Sequence, residues 1–374
     1  MKKRDRIYVD WGDSTQYSEY SWHQLSPYIG KMKSSMARNL VTNFTREGDI
    51  IYDPFCGAGT VALEGWIAGR NVISGDISPY AFVLSKAKLM PPKTLGEALA
   101  RLDKHWGQAC RENKKIDLRR VPKWVRTFFH PETLRETIAV CDGFIRHRQW
   151  FLLSCLLGIL HHWRPGFLSY PCSHTVPYLK DKIYPRTLFP EMYERRDVYV
   201  RLAAKVRRAY ARIPNVDHKL IRKVKKVDAK KHLPDIPIGG VSAIITSPPY
   251  MNSLSYARDN RLRLWFLGIN NHRKLEPKVS PRKKEFLGMM QKLFHKWSKL
   301  LKKDGVCVLI LGAVRQGGKF HDLPQEIADL VNNMQCSLYT TEVCKNVIPD
   351  IRRARFNCRA TREETIIVLR KREK

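Results

Sequence analysis

The sequence predicts an α/β fold, a Rossmann-like, doubly wound sheet split by a large, mainly helical and loop-rich insertion. Three observations carry this prediction. The apolar run ending at Tyr52 feeds a glycine turn, Asp53-Pro54-Phe55-Cys56-Gly57-Ala58-Gly59-Thr60, which opens a helical pattern from Val61 to Ile67. A second strand-like run, Asn71 to Gly75, ends in Asp76. Further runs follow at 220–227, 241–247, 306–313, 337–343 and 364–370, enough to complete a sheet.

Each part has a physical reason. A strand, a tight glycine turn and a helix start form the nucleotide-binding corner of such sheets, because only glycine lets the backbone approach a ligand closely. The same pattern also serves as a plain strand-to-helix turn with no ligand. Asp76 stands at the second strand's tip, where an acid can hold ribose hydroxyls. The double proline after Met90 closes the first part of the sheet domain at residue 93. Residues 94–215 are far more than a one-helix crossover needs and read as an insertion. Its apolar stretch from Trp150 to Leu160 is too short for a bilayer, which needs about 20 residues, and reads as a buried helix. The loop from Arg164 to Arg186 interleaves aromatics, prolines and cations, a composition suited to phosphate contacts and base stacking. Residues 216–374 return to the sheet.

The apolar run Val241 to Ile245 leads into Thr246-Ser247-Pro248-Pro249-Tyr250. Two prolines cannot extend a ladder, and their carbonyls stay free to accept hydrogen bonds. Ser247 adds a side-chain acceptor and Tyr250 a flat face for stacking. Such a pocket suits a planar group bearing an amine.

Charge points the same way. Lys and Arg number 68 against 35 Asp and Glu, a formal net charge of +33, which favours a polyanionic partner. Nine cysteines without a Cys-x-x-Cys pair argue against a structural zinc site and a secreted disulfide framework. His161-His162, lacking nearby ligands, reads as packed or solvated. The basic, polar N-terminus is no signal peptide, so an intracellular chain is expected, cytoplasmic or nucleoid-associated if bacterial or archaeal.

Together the two motifs resemble S-adenosylmethionine-dependent DNA amino-methyltransferases. The resemblance implies that Asp53, Phe55, Cys56, Gly57, Gly59 and Thr60 form the cofactor motif, with Asp76 and Ile77 at the ribose and Asp228 near the adenine. The segment His23 to Met32, with Lys31, would fold over the methionine end, and Ser247, Pro248, Pro249 and Tyr250 would be catalytic. DNA, its target base flipped out, would be the partner, with Tyr256, Arg258, Arg261, Arg164 and Arg186 as contacts. The serine form of the catalytic motif is the one most associated with cytosine N4. Adenine N6, and an RNA guanine-N2 activity whose enzymes usually carry Asn there, are the alternatives. A cytosine-C5 activity through Pro171-Cys172 is disfavoured, since that pair precedes the Ser247 motif and has no Glu-Asn-Val partner. No metal is expected. A restriction endonuclease partner fits the resemblance, while recognition sequence and oligomeric state leave no trace in the sequence.

Overall fold

A computed structural model describes residues 19–161, 167–169, 185–230, 238–249, 255–312, 314–316, 319–347 and 363–372. The seven expected strands form one sheet: β1 (Ile50–Asp53), β2 (Asn71–Asp76), β3 (Arg222–Lys226), β4 (Val241–Thr246), β5 (Leu301–Gly312), β8 (Leu338–Val347) and β9 (Glu363–Lys371). Their order is β3-β2-β1-β4-β5-β9-β8. The first five are mutually parallel, whereas β9 runs antiparallel between β5 and β8. A small hairpin, β6 (Val314–Gln316) with β7 (Lys319–His321), has no counterpart in the sequence reading, and β5 begins earlier than its apolar run.

Period-two alternation sorts side chains onto the two faces. Ile244, Cys307, Leu309, Ile367 and Leu369 meet α12 (Lys283–Leu300) and α13 (Leu323–Asn332) on one face. Ala243, Ile245, Val308, Ile310, Ile366 and Val368 meet α1 (Ser34–Phe44) on the other. Helices on both faces make the sheet doubly wound. The glycine turn leads into α2 (Thr60–Ile67), and β2 into α3 (Pro79–Leu89), capped by the Ser78 hydroxyl.

Described helices between 94 and 215 are α4 (Leu95–Glu112), α5 (Lys123–Arg126), α6 (Pro131–Arg146), α7 (Trp150–Gly158) and α8 (Val198–Ala209). The apolar face of each of α4, α6, α7 and α8 joins a core that also holds Trp22, Leu25, Trp66, Tyr80 and Leu84. Gly158 of α7 abuts the Leu25 carbonyl so closely that a side chain there would strike it. The Arg263 Nε, in α10 (Arg261–Phe266), donates to the Leu157 carbonyl at 3.1 Å. No helix among the described residues is long and apolar enough to cross a membrane.

Candidate active site

From β1 the chain lays β2 and β3 to one side, then crosses back to lay β4 and β5 on the other. A crevice opens at the carboxyl ends of strands where the order reverses in this way. Asp53 ends β1, Asp76 ends β2 and Thr246 ends β4. There a cleft of about 850 Å³ opens, lined by Asp53 to Ala58, Thr60, Asp76, Ile77, Asp228, Ser247 and Pro249, with Tyr28, Lys31 and Tyr256 around them. Residues from two motifs nearly 190 positions apart thus face one space.

The glycine turn is tied to β2. Cys56 N–H donates to the Gly75 carbonyl at 3.0 Å, and Gly57 N–H to Asp76 Oδ2 at 2.9 Å. Ser78 N–H takes the other Asp76 oxygen at 2.8 Å. Gly57 and Gly59 are left-handed, φ 47° and 71°, yet they differ in surroundings. A Cβ on Gly57 would lie 3.3 Å from the Tyr28 ring at the cleft wall. One on Gly59 would meet Ser85 Oγ at 2.6 Å and its Cα at 2.9 Å, so this glycine serves the approach of α2 to α3 and does not line the cleft. Thr60 lines the cleft with a buried hydroxyl that has no hydrogen-bond partner among the described residues.

Burial raises the Asp53 carboxyl to about 7, opposed by hydrogen bonds from the Thr246 hydroxyl, at 2.6 Å, and the Phe55 N–H. Burial also lifts Asp76 to about 6 against the three backbone N–H groups that favour its anion. Behind the cleft, His23 and Arg38 both bond Glu64, at 2.8 and 3.2 Å. Burial pushes His23 down to about 4 despite that carboxylate, so the imidazole is neutral at pH 7. Lys31 is held by Glu19 and the His23 carbonyl, at 3.2 and 3.3 Å.

At the end of β4, the Ser247 hydroxyl donates to the Ile310 carbonyl at 3.2 Å, an arrangement that leaves oxygen lone pairs as acceptors. Pro249 lines the cleft, while Pro248 is buried and does not. Tyr250 and Arg164 lie outside the described residues. Phe55 packs edge-on against Trp297, and the Tyr256 ring stands 6.3 Å from that of Tyr28. Arg258 is exposed on α9 (Tyr256–Asp259), near Asp259. Arg261 lies over the Trp124 ring at 5.4 Å and Arg186 over Tyr193 at 4.9 Å, and neither is among the residues lining the cleft. Asp228 accepts from Lys230 N–H at 3.0 Å. Sequence reasoning missed Lys278 and Val279 of α11 (His272–Val279), and Met289 of α12, which complete the wall. His161, expected to be packed or solvated, is buried against Phe128, 5.5 Å away.

The DNA methylase family model matches residues 4–87, the segment holding the glycine turn and Asp76 but not Ser247. Over this segment the chain is similar to the DNA methylase family. The Type II methyltransferase M.MjaII of Methanocaldococcus jannaschii is 36% identical over 67 residues, 18% of this chain and 13% of that one. M.MvaI of Kocuria varians is 42% identical over 55 residues, 14% of this chain and 12% of its own. The matches thus span about an eighth of those relatives' length. Among solved structures, TrmN from Thermus thermophilus aligns over 92% of this chain and 50% of its own, with 12% identity and a TM-score of 0.37.

Proposed function

We propose that the protein transfers a methyl group from S-adenosylmethionine to the exocyclic N4 amine of cytosine in a base flipped out of DNA. The observation that carries this reading is the single cleft shared by the Asp53–Thr60 turn and by Ser247 and Pro249. The chain's residues fit the cofactor. Asp53 offers a buried acid to a cationic group, Asp76 an acid at the second strand's end, and the unpartnered Thr60 hydroxyl seeks a polar atom. Lys31, Ile77 and Asp228 would complete its walls, and Gly57 lets the backbone approach. When bound, S-adenosylmethionine supplies an electrophilic methyl on sulfur.

An exocyclic amine is a poor nucleophile because its lone pair is delocalised into the ring. Ser247 Oγ and a backbone carbonyl of the Pro248-Pro249 pair, of which Pro249 reaches the cleft, would hold its two hydrogens, so that nitrogen becomes tetrahedral and directs its lone pair outward. Proton loss then goes to Ser247 or water, since the nitrogen turns acidic only as it gains the methyl group. Tyr250, with Tyr256 and Phe55 near the cleft, would flank the ring. A stacked base cannot reach this geometry, hence the flip. We assign target recognition to residues 94–215, through Arg164 and Arg186, and backbone contacts to Arg258 and Arg261. Mass spectrometry of nucleosides from DNA and RNA treated with the protein tests this. N4-methylcytosine in DNA is expected; N6-methyladenine would move the reading to the other base, and methylation of RNA alone would overturn it.

A further inference from the structure

A second concavity lies where α3 passes into α4 and meets the α6–α7 turn. It is open to solvent, is lined by Lys86, Met90, Arg101, Arg148, Trp150 and Phe151 among others, and shares no residue with the cleft. Lys86 stands ~10 Å along α3 from the helix end that faces the cleft. Two features separate this basic patch from an ordinary solvated face. Lys86 is half-buried with no carboxylate partner among the described residues, and burial lowers its ammonium pKa. Arg148 has φ 54°. It closes α6, with Gln149 N–H donating to the Phe144 carbonyl at 2.8 Å and Arg148 N–H to that of Ile145 at 3.2 Å. That closure places its second residue beyond the helix in the left-handed region, where glycine is usual and an arginine is strained. The arginine therefore sits at a position chosen against backbone preference, with its side chain on the concavity. Of these three cations, only Arg101 is paired with an acid among the described residues, Glu97 at 2.5 Å.

We propose that this concavity binds phosphate groups, either those of a nucleic-acid backbone or those of a free oligophosphate. Three cations converge for one carboxylate, so a ligand carrying at least two negative charges balances the site. The arginine's planar fork and the lysine's point charge are complementary ways of holding such oxygens.

The test uses the full chain with Lys86→Gln and Arg148→Gly combined. Arg148→Gly removes the cation and the backbone strain together, so the fold is kept and the melting temperature stays level or rises. Binding of a 30-base-pair duplex across a salt series and calorimetric titration with tripolyphosphate are read beside an Arg119→Gln/Arg120→Gln control of equal charge. If backbone phosphates are the ligand, the slope of log K against log salt becomes shallower by about 1.8 in the double variant, and by less in the control. If a free oligophosphate is the ligand, the slope holds while tripolyphosphate affinity drops at least tenfold in the double variant alone. Equal effects in the two variants, or none in either, would overturn the proposal. Neither Lys86 nor Arg148 lines the cleft, so failure here leaves methyl transfer intact, and the reverse.

Discussion

Replacing Gly59 with alanine separates two costs that a left-handed glycine can conceal. The conformation itself, φ 71°, costs an L side chain roughly 1–2 kcal/mol. The new Cβ would also sit 2.6 Å from Ser85 Oγ, 2.9 Å from Ser85 Cα and 3.0 Å from its Cβ. The hydroxyl can rotate, but the Cα belongs to α3 and yields only if the helix moves, so overpacking adds roughly 1–3 kcal/mol. Gly48 supplies the reference, because its φ is 80° and a Cβ there would meet nothing within 4 Å. Gly48→Ala should therefore show the conformational cost alone. With a urea m-value of about 3 kcal/mol/M, the midpoint should fall by about 1 M for Gly59→Ala and by about 0.4 M for Gly48→Ala. Tryptophan fluorescence during urea unfolding reads both. Equal displacements would refute the claim that Gly59 exists for the approach of α2 to α3.

Other outcomes follow from the same geometry. Ser247→Ala should lower kcat about 100-fold or more with cofactor affinity unchanged, read by single-turnover methylation beside calorimetry; loss of cofactor binding instead would remove Ser247 from the base pocket. Asp76→Ala should weaken S-adenosylmethionine binding roughly tenfold or more, since it removes an acceptor and releases the Gly57 N–H; wild-type affinity by calorimetry would sink the cofactor assignment. Burial raises the Asp53 and Asp76 carboxyls from 3.8 to about 7 and about 6, so the folded chain holds these protons more tightly than the unfolded one. The stability they lend is complete below pH 3.8 and is lost as pH rises through 6 and 7, by roughly 4 kcal/mol at most for Asp53. Asp53→Asn should flatten that decline in urea midpoints taken from pH 4 to 8, and an unchanged decline would reject the assignment.

The strands were legible because each is an apolar run between turn residues, and the glycine turn and Asp76 because backbone geometry dictates their residue types. Strand order was not. The placement of β9 between β5 and β8 depends on pairing between distant segments, for which a local pattern holds no signal. The cleft wall from α11 and α12 was missed for a related reason: an amphipathic helix announces which face is buried, not that Lys278 or Met289 stands beside a ligand space. Gly158 was equally silent, since the carbonyl it accommodates belongs to Leu25, far away in sequence.

The position of β9 bears on how the chain is made. It is synthesised last of the seven strands, yet it occupies an interior place, zipped to β5 from Val306↔Arg370 to Gly312↔Glu364 and to β8 on its other side. While the nascent chain lacks residues 363–371, β5 offers an open row of N–H and C=O groups over an apolar stretch, and β8 has no strand to join. Such an edge recruits strands from other molecules. A ribosome stalled before Glu363, or a stop codon there, should thus yield a product that keeps every residue of the cleft and still collects in inclusion bodies.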